Sequence, residues 1–290
     1  MSDPTDTPDH RLAILGAGVM GTGIATMAVA HGVPVTLIDV SEAQLGEASS
    51  RVEHQLRHAR LLGVLPPDRM VATLTTNLSI AAAADSTAVI EAVPESPEPK
   101  SKALAELSAV VPPGTPLISN TSGIPIDEMA AWLTRPEDLL GTHFMNPPYL
   151  IQTVEVIRGP RTSDATMERA AALLAALNRR AIVVRDCPGF VTSRLLHPMI
   201  NDAIRIVGEG TATAADVDAL MQGCLGHPTG PLRTADLIGL DNLADALNAL
   251  YERTGDERAR PCEALLEKVR EGNLGRKTGR GFHDYREVLS

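Results

Sequence analysis

Aromatic residues make up only 2% of the 290-residue chain, and its formal net charge is −10. A nucleic-acid surface needs cations against phosphates and rings for base stacking, so that class of partner is excluded. Lysine is nearly as scarce: Lys100, Lys102, Lys268 and Lys277 are the full set, in a chain rich in Ala and Arg, a bias that a GC-rich genome explains. The cysteines, Cys187, Cys224 and Cys262, are odd in number and widely spaced. They fit no disulfide framework or zinc pattern and point to a reducing, cytoplasmic setting with no metal. No apolar run approaches the length of a membrane span. The opening MSDPTDTPDH is acidic and lacks an apolar core, so residues 1–9 read as a frayed tail.

What is present is alternation. The short apolar runs LAILGAG, VPVTLIDV, AVIEAVPE and PLISNTS are separated by helical stretches, the pattern of parallel strands joined by crossover helices. After AIVVRDCPGF the spacing becomes helical, as in SRLLHPMINDAIRIVGEG. Cys-Pro-Gly breaks regular structure there. The expected architecture is α/β: a doubly wound Rossmann-type sheet over residues 10–187, then a smaller all-α domain over 188–290.

RLAILGAGVMGTGIA sets Gly16, Gly18 and Gly21 as GxGxxG, with Val19 and Met20 inside the motif, directly after a strand and at the head of an Ala-rich helix. Gly16 allows the tight turn, Gly18 lets a pyrophosphate approach, and Gly21 lets helix and strand pack closely. Asp39 closes the next strand, where a carboxylate accepts the adenosine ribose hydroxyls. No arginine follows it directly, which favours NAD over NADP.

GTHFMNPPYLIQTVEVI places His143 and Glu155 inside two apolar runs, where an ionisable group is costly unless partnered. Oxidising an alcohol with NAD requires a base for the hydroxyl proton, and histidine suits that work. His143 is the candidate base, with Glu155 orienting its imidazole. On this stretch alone, a satisfied core histidine and an outward-facing glutamate account for the pattern equally well.

Over nearly its whole length the chain resembles the L-3-hydroxyacyl-CoA dehydrogenases. The matching segments are GAGVMGTGIA, VIEAVPE, SNTSGIPI, GTHFMNPP, VEVI, DCPGFVTSRLL, GHPTGP, DLIGLD and GRKTGRGFHDY. The resemblance implies catalytic roles for His143 and Glu155 and a substrate-oxygen contact from Ser122. It also implies that Glu95, Lys100, Asn120 and Asn146 line the nicotinamide end, and that the helical domain forms a homodimer interface. The implied substrate is an acyl thioester. Asp236 and Asp241 read as helix caps, and Lys277 with KTGRGF as a structural turn.

Two positions depart from the family pattern. Ser193 stands where the family has an asparagine near the catalytic serine, and Leu62 stands where a family lysine contacts CoA, leaving Arg51, Arg57 and Arg60 as nearby cations. HFMNPPYLIQTVEVI and GHPTGPLRTADLIGLD are similar to a polyketide-associated branch, which implies a glyceryl or hydroxyacyl unit on an acyl carrier protein as an alternative substrate. A β-hydroxyacid dehydrogenase would need a catalytic lysine opening the helical domain, and none occurs between Lys102 and Lys268. An NAD-binding oligomer with lost catalysis is the non-enzymatic alternative.

Overall fold

The computed structural model describes residues 10–65 and 70–286, and the chain divides between Cys187 and Pro188 into two compact units. The first carries strands β1 (Leu12–Leu15), β2 (Val35–Ile38), β3 (Leu74–Asn77), β4 (Ala88–Glu91), β5 (Leu117–Ser119), β6 (Leu139–His143), β7 (Thr153–Arg158) and β8 (Arg180–Arg185). Between them run α1 (Val19–Ala30), α2 (Glu42–Leu61), α3 (Pro97–Val110), α4 (Ile126–Ala130) and α5 (Asp164–Ala176). The strands form one sheet in the order β3-β2-β1-β4-β5-β6-β7-β8. β1 and β4 are central and every residue of each is buried, which is why they read as unbroken apolar runs. The order reverses between β1 and β4, and at such a switch point ligands bind beyond the carboxyl ends of the strands.

Two features depart from the sequence expectation. β3, Leu-Thr-Thr-Asn, is a polar, largely exposed strand paired only with β2. An edge strand buries little, so it carries no apolar run to betray it. β7 pairs antiparallel to β6, and β8 parallel to β7, so these two run against the other six. The connection over residues 144–152 is shorter than the dozen or so residues that a parallel crossover needs.

The second unit is helical: α6 (Thr192–Gly208), α7 (Ala214–Leu225), α8 (Pro231–Ile238), α9 (Leu240–Thr254) and α10 (Glu263–Arg270). Its core gathers Ile200, Ile204, Leu232, Leu243, Leu247 and Leu265. Two buried aspartates clamp its C-terminal turn. Asp218 accepts the N–H groups of Leu232 and Arg233 and contacts His283 Nε2 at 2.8 Å. Asp236 accepts the N–H groups of Phe282 and His283, both at 2.9 Å, and the Tyr285 hydroxyl at 3.1 Å. This corrects the reading of Asp236 as a cap: it lies within α8 and holds a distant turn. Asp241, in the first turn of α9, pairs with Lys277 Nζ at 2.5 Å.

Candidate functional site

The nucleotide turn follows β1. Gly16 has φ +106°, and a β-carbon there would lie 2.5 Å from the Ala92 carbonyl oxygen, so the position demands glycine. Gly18 is the N-cap of α1, and no side chain caps that end. Its own missing β-carbon leaves space with nothing within 4 Å. Uncapped N–H groups beside open space are what a pyrophosphate requires. Val19 and Met20 open the first turn of α1, with Val19 exposed.

Asp39 receives Ala17 N–H on Oδ2 at 2.7 Å and Ser41 N–H on Oδ1 at 2.9 Å. Each carboxylate oxygen keeps a second lone pair, so the ribose role expected of Asp39 fits its setting. Arg51 Nη2 donates to the Ala17 carbonyl at 2.8 Å and to Gln44, while Nη1 meets Glu47. Arg51, named above only as a cation near Leu62, therefore braces the dinucleotide turn, a contact that sequence spacing did not suggest.

His143 ends β6 and faces Glu155 directly across the antiparallel β6–β7 pairing. Opposed residues project to the same face of a sheet. Nδ1 of His143 lies 3.2 Å from Glu155 Oε2, and both side chains are buried. An ionised carboxylate only accepts, so Nδ1 carries a proton, and in the neutral imidazole Nε2 then holds the lone pair.

Ser122 follows β5, whose end adjoins those of β4 and β6. Its backbone N–H donates to Glu95 Oε1 at 2.8 Å, and the same oxygen accepts Thr121 Oγ1–H at 2.5 Å. Glu95 Oε2 is 3.0 Å from Lys100 Nζ. Lys100 is only 1% exposed and also bonds both oxygens of the buried Glu91, at 2.8 and 3.0 Å. Burial pulls the Lys100 pKa down, but the charges of Glu95 and Glu91 outweigh it and the ammonium is held above its ordinary value. Lys100, expected at the nicotinamide end, thus places its donors on two glutamates. Glu91 was missed, although a carboxylate closing AVIE poses the same problem as Glu155.

Asn120 Oδ1 accepts the N–H of Phe144 at 3.1 Å, tying β5 to the residue after His143. Asn146 is exposed in the turn that follows. Asp186 accepts Ile126 N–H and Asp127 N–H at 2.9 and 2.8 Å, anchoring the start of α4 just beyond Ser122. Burial pushes its pKa up against those two hydrogen bonds. Ser193 is buried in the first turn of α6, in the second unit. Leu62 is exposed at the end of α2.

Residues 11–187 match the NAD-binding domain of 3-hydroxyacyl-CoA dehydrogenases, and residues 189–285 match their C-terminal domain. The chain belongs to the 3-hydroxyacyl-CoA dehydrogenase family. It is an NAD-dependent dehydrogenase, and the turn at Gly16 to Gly21 fits the cofactor by the uncapped α1 terminus and the open space at Gly18. Among similar proteins of the family, a probable 3-hydroxybutyryl-CoA dehydrogenase of Bacillus subtilis is 38% identical, over 97% of this chain and 99% of that one. The 3-hydroxybutyryl-CoA dehydrogenase of Bradyrhizobium diazoefficiens is 39% identical over 95% of each. The crystal structure of Mycobacterium tuberculosis FadB2 superposes with a TM-score of 0.90 at 37% identity, covering 95% of this chain and 99% of that one. Among the described residues, no helix is long and apolar enough to cross a membrane, and no cluster of ligating side chains could hold a metal ion.

Proposed function

We propose that the protein interconverts 3-hydroxyacyl and 3-oxoacyl thioesters, with His143 and Glu155 handling the proton. The carrying observation is the cross-strand register that sets His143 opposite Glu155. NAD, when bound, supplies or takes up the hydride at C3 of the substrate. His143 Nε2 takes the hydroxyl proton in the oxidative direction and returns it in reduction. Glu155 fixes the tautomer through Nδ1–H, and its charge compensates the imidazolium as it forms. The Ser122 hydroxyl, on a loop pinned by Glu95, donates to the same substrate oxygen. Asp39 receives the ribose, and Gly18 with the first turn of α1 receives the pyrophosphate. Asn120 and Asn146 flank the nicotinamide end, and the helical domain supplies a homodimer interface.

Acetoacetyl-CoA with NADH is the test substrate, followed by the loss of NADH absorbance. Turnover is expected, with His143→Gln lowering kcat about a thousandfold while NADH still binds. No turnover with CoA, pantetheine or carrier-protein thioesters would instead support an NAD-binding oligomer without catalysis. A carrier-protein tether is the second reading. Leu62 is exposed where a phosphate-binding lysine would stand, and Arg51 is committed to Ala17, so fixed charge for a CoA nucleotide is reduced. Higher kcat/KM on a glyceryl- or hydroxyacyl-carrier protein than on 3-hydroxybutyryl-CoA would favour it.

A further inference from the structure

Glu91 and Lys100 form an ion pair that is almost wholly removed from water, at 0% and 1% side-chain exposure, with Glu95 added at 40%. Burying such a pair rarely gains stability, because the cost of desolvation equals or exceeds the attraction. Its worth therefore lies in the geometry that it imposes. We propose that Glu91 and Lys100 are positioning residues that fix the Ser122 loop through Glu95; this rests on the role given to Ser122 above.

The frame can be followed atom by atom. Glu91 closes β4, and its carboxylate is oriented by Val93 N–H on Oε1 at 2.8 Å and by Ser119 Oγ–H on Oε2 at 2.6 Å. Lys100, from the first turns of α3, has three N–H donors and spends them on Glu91 Oε1, Glu91 Oε2 and Glu95 Oε2. That contact fixes one oxygen of Glu95, so the other is aimed at the loop. There Oε1 holds Ser122 N–H and Thr121 Oγ1–H, and Thr121 Oγ1 in turn accepts Ile124 N–H at 3.0 Å and Gly123 N–H at 3.3 Å. Glu95 Oε1 thereby holds residues 121 and 122 directly, and residues 123 and 124 through Thr121 Oγ1. Asn120, which leads into the loop, donates its N–H to the Glu91 carbonyl at 2.8 Å. A catalytic hydroxyl misplaced by about 1 Å loses much of its effect, so a rigid frame beneath the loop bears directly on rate.

The test uses the whole protein with Glu91→Gln, which removes the charge but keeps the shape, and with Ser119→Ala as a milder variant that decides the matter if the first does not fold. Hydrogen exchange at the Ser122 amide, measured without cofactor, is expected to quicken by about tenfold or more. With acetoacetyl-CoA and NADH, kcat is expected to fall about tenfold while the KM for NADH stays within about twofold. In a Ser122→Ala background the same change should cost less than about twofold, because the residue acts only through that serine. Unchanged exchange at Ser122, or losses that multiply fully with Ser122→Ala, would overturn the proposal. If the wild-type protein turns over no CoA, pantetheine or carrier-protein thioester, the functional reading falls, and the exchange measurement still decides whether Glu91 and Lys100 hold the loop.

Discussion

The carbonyl oxygen of Gly16 lies 1.7 Å from the point that a β-carbon on Gly21 would occupy, whereas a β-carbon on Gly18 would meet nothing within 4 Å. The glycines of one motif therefore answer to different demands. Gly21→Ala should force helix and strand apart and cost about 3 kcal/mol in denaturant unfolding. Gly18→Ala should unfold close to the wild-type midpoint yet weaken NADH at least about tenfold in a fluorescence titration, since its methyl group enters space kept for the cofactor. Equal stability losses in the two variants would contradict this division.

Glu155→Gln keeps the shape of the side chain and removes its charge. The imidazole loses its acceptor-only partner, and the other tautomer becomes available to it. A fall in kcat of about 100-fold is expected, with the dissociation constant of NADH within about twofold. A parallel fall in cofactor affinity would mean that the pair serves binding rather than proton transfer.

The three tyrosines offer a spectroscopic check. Burial, the Asp236 charge and its hydrogen bond push the Tyr285 phenol up to about 12. Burial raises Tyr149, and the hydrogen bond from Tyr251 to Glu257 raises that phenol too. A folded pKa above the unfolded value means that this stabilisation is intact below about pH 10 and is lost as pH climbs toward about 12. Ultraviolet difference titration should show phenolate appearing late, with the last component absent from Tyr285→Phe. Ionisation of all three near the ordinary phenol value would show the Asp236 clamp to be open in solution.

The helical unit can be tested at its glycines. A β-carbon on Gly281 would lie 1.9 Å from Asp236 Oδ1, and one on Gly230 would lie 2.1 Å from the Asp218 carboxyl carbon. Either alanine should destabilise the protein by about 2–4 kcal/mol. Gly223, inside α7 with open space around it, is the control, and alanine there should stabilise by about 0.5–1 kcal/mol.

Most strands of the sheet were legible because a buried parallel strand has to be apolar along its whole length, as LAIL and AVIE are. β3 escaped because an edge strand buries too little to need such a run, and the reversal of β7 escaped because apolar spacing carries no direction. In the site, Gly16, Asp39, His143 and Glu155 announced themselves as residues out of keeping with their surroundings. Arg51, Thr121 and Asp186 did not, since each acts through a hydrogen bond to a group far away in the chain, and no spacing encodes a contact across 34, 26 or 60 positions. Lys100 was noticed, but its burial between two glutamates was not, because EPKSK carries no apolar pattern that marks a side chain turned inward.

Side chains alternate between the faces of a strand, so sliding β7 past β6 by one residue would carry Glu155 to the face opposite His143 and set an apolar neighbour, Val154 or Val156, in its place. A chain that assembles this corner out of step thus leaves an imidazole and a carboxylate each buried without the other, a double cost that ties the pairing of the two strands to the pairing of the two side chains.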